Sequence, residues 1–284
     1  GFGLARYGAP VASVINDHLG PLLVGEEAGA TETLWDMMNR AASPYGAIGL
    51  ASFAIAAIDL ALWDLKGRAL GRPVWDLLGG PARKEIPCYA TGNDTDWHME
   101  LGFTATKLAC PFGPVDGADG LARNAELVAR TRDLIGPKVG LMLDCWMAMD
   151  VDYTVRLAET LRPSGLRWIE DYLWPEDMLG YAEVRKRLPW QMLASGEHWY
   201  SLNTFAQAIA GRTVDLFQPD IHWSGGLTAC LKLAHMAEAA GIPVALHAGM
   251  NTAYGQHLTY AMPSMPLGEL FIGTDPGIPL EQVA

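Results

Sequence analysis

Positive charge, cysteine and uninterrupted apolar sequence are all scarce in this chain. Its 20 lysines and arginines face 32 acidic residues, for a formal charge of -12, which argues against a nucleic-acid backbone or an anionic membrane surface as partner. The four cysteines, Cys88, Cys110, Cys145 and Cys230, form no C-x-x-C pair and no zinc-type pattern with histidine. They read as reduced thiols of a cytoplasmic protein, and no signal peptide is read before Gly1. The longest apolar stretch, Ala47 to Leu65, is interrupted by Asp59 and Asp64 and has the spacing of a buried helix rather than a membrane span. A dinucleotide fingerprint is lacking too: Gly1-Phe2-Gly3-Leu4-Ala5-Arg6 has neither the third glycine nor a preceding strand, so a nicotinamide dehydrogenase is disfavoured.

What is present suits an enzyme with a large core. The 284 residues are 50% hydrophobic, enough for a barrel and a small accessory domain. Residues 10 to about 80 read as helical: Val11 to Leu23, Thr31 to Ala41, and an alanine-rich helix from Gly49 to about Leu70, ended by Gly71-Arg72-Pro73. From Ile86 onward the pattern alternates. Strands are expected near 86–90, 103–109, 139–144, 166–170, 191–196, 213–218, 242–247 and 268–272. Crossover helices are expected at Gly120 to Leu134, Tyr153 to Leu161, Glu176 to Leu188, Thr204 to Ala210 and Leu227 to Ala240. Such alternation predicts a parallel sheet, and eight strands would close a barrel.

Five of the apolar runs end on a carboxylate or a histidine: Asp144, Glu170, Glu197, Asp220 and His247, at separations of 26, 27, 23 and 27 residues. Each interval is about one strand, one helix and two short loops. In a parallel barrel the strands finish at one face, where catalytic residues gather. Taken singly, an acid after a strand is a helix cap or a loop residue. Five in phase point to a site. Three clustered carboxylates repel one another unless a cation neutralises them, and oxygen-only ligation suits a hard divalent ion, with Mg2+ the natural candidate.

Several motifs carry a family resemblance: Ile58 to Asp64 (IDLALWD), Pro73 to Gly80 (PVWDLLGG), Leu141 to Trp146 (LMLDCW), Trp168-Ile169-Glu170, Ser195-Gly196-Glu197-His198, Gln218-Pro219-Asp220 and Gly225-Gly226-Leu227-Thr228. With these the chain resembles the enolase superfamily, mandelate racemase/muconate lactonizing enzyme branch, and within it the acid-sugar dehydratases. The resemblance implies an α/β architecture, a modified (β/α)7β TIM-type barrel with a partial α+β cap. Residues 1–84 would form an incomplete, mostly helical cap and 85–284 the barrel. It also implies Mg2+ and dehydration of an aldonate such as L-rhamnonate or L-lyxonate to a 2-keto-3-deoxy acid through an enediolate. A homo-oligomer is implied as well.

Position by position, the resemblance makes Asp144, Glu170 and Glu197 the metal ligands, His247 the base and Asp220 its partner. Glu269 matches an acidic group that hydrogen-bonds the substrate carboxylate, as a donor if its carboxyl is held protonated. Lys107 matches the first lysine of a K-x-K motif, or else is a rim lysine paired to an acid. Ala109 stands where racemases carry the second lysine, which disfavours two-face proton transfer. Asp171 stands where many relatives have a second glutamate. His198 and His222, with Trp223, are candidate substrate contacts, and Trp146 and Trp199 are pocket walls or core residues. His18, His98, His235 and His257 read as structural or solvated. The alternatives are a racemase or epimerase of a 2-hydroxy acid, a non-catalytic sugar-acid-binding barrel, and a phosphate-binding barrel using Ser224-Gly225-Gly226 as an anion cradle. The last is disfavoured because that turn follows the sixth strand rather than the seventh or eighth.

Overall fold

A computed structural model describes residues 1–272. Helical segments Gly8–Ser13, Val14–Leu19 and Gly20–Leu23 lead into helices Thr31–Ala42 and Leu50–Leu70. The Leu50–Leu70 helix is apolar nearly all round because it is covered on several sides: it packs on the earlier helices and on helix Gly226–Ala240.

Seven strands follow: β1 (Cys88–Thr91), β2 (Ala105–Ala109), β3 (Gly140–Asp144), β4 (Ile169–Glu170), β5 (Leu193–Ser195), β6 (Leu216–Phe217) and β7 (Gly268–Phe271). All pair in parallel, in the order β6-β5-β4-β3-β2-β1-β7. This is the curled sheet of a TIM-type barrel. Register sets Ala109 beside Asp144 and Asp144 beside Glu170, so these strand ends are level. Helices Gly117–Ile135, Val151–Leu161, Met178–Arg187, Leu202–Gly211 and Gly226–Ala240 supply the crossovers, close to the predicted spans. Helices Thr95–Glu100 and Ala253–Ala261 were not anticipated from the sequence.

The strand expected at 242–247 departs from the prediction. It joins β6 through a single bridge, Phe217 to Val244, with Phe217 N donating to Pro243 O and Ala245 N to Phe217 O. His247 N also donates to Pro219 O, but Pro243 and Pro219 lack the N–H groups that the flanking bonds would use, so a regular ladder does not extend along it.

Side chains alternate across each strand. One set faces the outer helices: Leu141, Leu143, Ile169, Leu193, Phe217, Val244 and Leu246 lie in the largest apolar cluster. The other set fills the barrel: Tyr89, Ala105, Met142, Trp168, Ala194, Leu216 and Ala245 form a separate apolar cluster. Two residues further along the chain, on the same face, come Thr91, Lys107, Asp144, Glu170, Gln218 and His247. An apolar plug therefore floors a layer of charge.

Asp59, fully buried on the Leu50–Leu70 helix, ties the helical region to this layer. It accepts hydrogen bonds from Thr228 N at 2.9 Å and Thr228 Oγ1 at 2.5 Å, capping helix Gly226–Ala240 from another part of the chain. Gly226 has φ 89°, and a Cβ there would meet Asp59 Oδ2 at 2.5 Å, so only glycine lets the carboxylate in. The loop carrying Asp220, His222 and Trp223 is held by this contact and by Ser52 Oγ, which donates to Trp223 O.

Candidate active site

Asp144 and Glu170 end β3 and β4, and Glu197 lies two residues past β5. One carboxylate oxygen from each falls within 4.8 Å of the others. Burial pushes all three carboxyls up, and neighbouring carboxylates add to it: Asp144 is raised, Glu170 reaches about 7, and Glu197 stands well above its ordinary range. Glu197 Oε2 is buried with no hydrogen-bond partner among the described residues. Converging carboxylates that resist ionisation, one with an orphaned oxygen, fit a hard divalent cation. A second grouping, Asp171, Glu197 and His198, is equally compact. Its Asp171 oxygens are engaged by Ser195 Oγ at 3.2 Å and His198 Nδ1 at 2.9 Å, and it includes an imidazole; the first set offers carboxylate oxygens alone, from three successive strand ends, the ligation a hard divalent ion takes, and is the better cradle.

Lys107 is fully buried inside the barrel rather than at its rim. Its Nζ lies 2.7 Å from Glu269 Oε1 and 3.5 Å from Asp144 Oδ2, and it pairs with Glu170. Burial alone would lower the ammonium; the three carboxylates outweigh it and raise Lys107 well above its usual value. Glu170 also accepts from Trp168 Nε1 at 2.9 Å and Gln218 Nε2 at 2.5 Å.

Glu269, on β7, is fully buried. Burial raises it, but Lys107 and His247, with hydrogen bonds from Lys107 and Thr91, bring it below its ordinary value. Ala248 N donates to its other oxygen at 2.9 Å. Donors therefore face both oxygens of Glu269.

His247 Nδ1 and Asp220 Oδ2 are 2.8 Å apart, and Asp220 Oδ1 accepts from His222 N at 2.7 Å. Burial would raise Asp220, but these imidazoles bring it far below the usual carboxylate range. His247 Nε2 is turned toward Glu197 Oε2 at 3.3 Å. Burial would lower His247; Glu197, Asp220 and Glu269 overcome it and lift it to about 10.

Among the other candidates, His198 is pinned by Asp171 and faces Trp146, ring centres 6.1 Å apart, and Trp223 at 5.4 Å. Trp146 is 65% exposed at the rim. His222 lines a cavity with Asp220 and His247. Trp199 belongs to the core, packed on Tyr181, Phe205 and Phe217. Of the six non-glycine residues at positive φ among the described residues, Trp146, Met147, Asp171 and Ala248 come just after Asp144, Glu170 and His247. Such conformations cost about 1–2 kcal/mol each and gather at functional sites.

Sequence reasoning missed Thr91, Trp168 and Gln218, which hold Glu269 and Glu170. The signal existed: Trp168 and Gln218 stand two residues before Glu170 and Asp220, the same strand face.

No helix among the described residues is long and apolar enough to cross a membrane. The enolase C-terminal domain-like family matches residues 95–283, and the mandelate racemase/muconate lactonizing enzyme N-terminal domain matches residues 4–79. L-rhamnonate dehydratase of Saccharopolyspora erythraea is 38% identical over 273 residues, 96% of this chain and 70% of that protein. The crystal structure of L-rhamnonate dehydratase from Gibberella zeae superposes with a TM-score of 0.91 at 35% identity, covering 94% of this chain and 68% of that one. Its complex with Mg aligns at 0.90, covering 66% of that chain. Matching both halves of the family and laying its carboxylates and imidazole on the strand ends of the same barrel, the chain belongs to the mandelate racemase/muconate lactonizing enzyme family of the enolase superfamily.

Proposed function

We propose that the chain is an Mg2+-dependent hydro-lyase that dehydrates an aldonate of the L-rhamnonate or L-lyxonate type to a 2-keto-3-deoxy acid. The observation that carries this reading is His247, backed by Asp220 on one nitrogen and facing Glu197 with the other. Asp144, Glu170 and Glu197 would hold the ion. Mg2+ bound there supplies Lewis-acid polarisation of the substrate carboxylate, which makes the adjacent C2 proton acidic.

In this reading His247 Nε2 takes the C2 proton, and the electron pair spreads into the carboxylate. Asp220 accepts the Nδ1 hydrogen bond, fixes the tautomer and stabilises the imidazolium. The same imidazolium returns its proton to the C3 hydroxyl, which leaves as water while the C3–O bond breaks; the enol then ketonises. Glu197 is the largest charge holding His247 protonated, so the basicity of His247 depends on what neutralises Glu197. Lys107 places positive charge under the carboxylate position and keeps Glu269 ionised. Ala109, exposed at the end of β2, provides no base for the opposite face, which supports a dehydratase over a racemase. Four free thiols support a cytoplasmic setting.

Proton NMR in D2O with Mg2+ and a panel of aldonates tests the reading. Loss of the C2 signal together with keto-acid product on one acid is expected. Exchange without product would replace the reading by epimerisation, and no change on any acid would overturn it.

A further inference from the structure

The N-terminal segment 1–7 is fastened at both ends beside the site. A Cβ on Gly1 would lie 1.8 Å from Ala61 O, and one on Gly3 1.9 Å from Ala57 O, so alternate glycines let this backbone press flat on the Leu50–Leu70 helix. Tyr254 Oη donates to Phe2 O at 2.6 Å, and Phe2 N donates to Asp64 Oδ2 at 2.9 Å. At the other end Tyr7 turns at φ 56° and stacks on Phe53, ring centres 5.8 Å apart.

Between these anchors Leu4, Ala5 and Arg6 wall a cavity of about 240 Å3 shared with Asp220, His222 and His247. The Arg6 guanidinium lies 5.1 Å from the Trp223 ring centre, and Trp223 lies 5.1 Å from the His247 ring. Asp220 is already committed to His247 and His222. Arg6 has no ion pair or side-chain hydrogen bond among the described residues. The guanidinium lies within cation–π range of the indole, and arginine offers hydrogen-bond donors only, so its N–H groups are available to acceptors in the cavity.

Resting on the acid-sugar reading above, we infer that Arg6 is a specificity-determining substrate contact that donates to hydroxyl oxygens of the sugar chain beyond C3. The C2 proton must face His247 Nε2, which points to Glu197 and the carboxylate cluster. The carboxylate end of the substrate therefore lies on that side. Arg6 stands on a different wall, across Trp223, where the far end of the polyol must run.

Steady-state kinetics of Arg6→Ala and Arg6→Lys test this with two acids: a six-carbon aldonate and a four-carbon aldonate of the same C2 and C3 configuration. Hydrogen bonds to a charged donor are worth about 1.5–3 kcal/mol, so Arg6→Ala should lower kcat/KM on the six-carbon acid about 10- to 100-fold, mainly through KM. The four-carbon acid should change less than about 3-fold by comparison, and Arg6→Lys should fall between. Thermal unfolding of the variants should match the parent, because Arg6 is exposed. Equal losses on both acids, or none on either, with an active parent would overturn the Arg6 assignment alone. A parent that turns over no aldonate would overturn the acid-sugar reading and the inference with it.

Discussion

His247 Nε2 faces Glu197 Oε2 at 3.3 Å while its Nδ1 is engaged by Asp220. The nitrogen proposed to transfer the proton and a candidate metal ligand thus meet over one small space. Asp220→Asn would offer an amide N–H to Nδ1 and force the hydrogen onto Nε2, removing the base. We expect kcat to fall about 10²- to 10⁴-fold, with Mg2+ binding by calorimetry retained. Turnover within a few-fold of the parent would refute the role given to Asp220.

Glu170 is the hub of the carboxylate layer, bonded to Lys107, Trp168 and Gln218. Glu170→Gln keeps its shape and removes its charge. Mg2+ affinity should weaken at least about 10-fold in a calorimetric titration. Unchanged binding would take Glu170 out of the ligand set.

Lys107 is the buried cation among Glu170, Glu269 and Asp144. Lys107→Met should destabilise the metal-free protein by about 3–5 kcal/mol, because carboxylates lose their counter-charge. Saturating Mg2+ should recover part of this. Urea unfolding with Mg2+ and with chelator gives the comparison; identical midpoints for parent and variant without the metal would contradict the argument.

Asp59 predicts a pH dependence of stability. Burial raises its carboxyl from 3.8 to about 7 despite the hydrogen bonds from Thr228. Between those values the folded chain binds more protons than the unfolded one, so this group makes stability fall as pH rises from about 4 to 7. At about 1.4 kcal/mol per unit, the loss is up to about 4 kcal/mol. Asp59→Asn should flatten that slope in urea unfolding at pH 5 and 8. A variant with the parent's slope would show that Asp59 does not titrate in this window.

Much of the site was legible because chemistry recurs at a fixed interval. A strand, a crossover helix and two loops take about as many residues each time, so Asp144, Glu170, Glu197, Asp220 and His247 fell into phase, and helices such as Gly226–Ala240 were read to within a residue. The region around 242–247 was misread as a full strand because Pro243 breaks the ladder while leaving the apolar pattern intact. The surroundings of Glu269 were not legible because Lys107, Thr91 and Ala248 N, which face it, are distant in sequence.

The sequence by itself determined the order of elements, the apolar alternation along the strands and the residue types at the strand ends, since these follow from local periodicity. Only the tertiary structure decided the electrostatics. It made Lys107 an interior counter-ion, set His247 against Glu197, bound Asp59 to Thr228 across 169 residues and laid Arg6 on Trp223. Such pairings depend on distances through space and on burial, and a charge's preferred state depends on both.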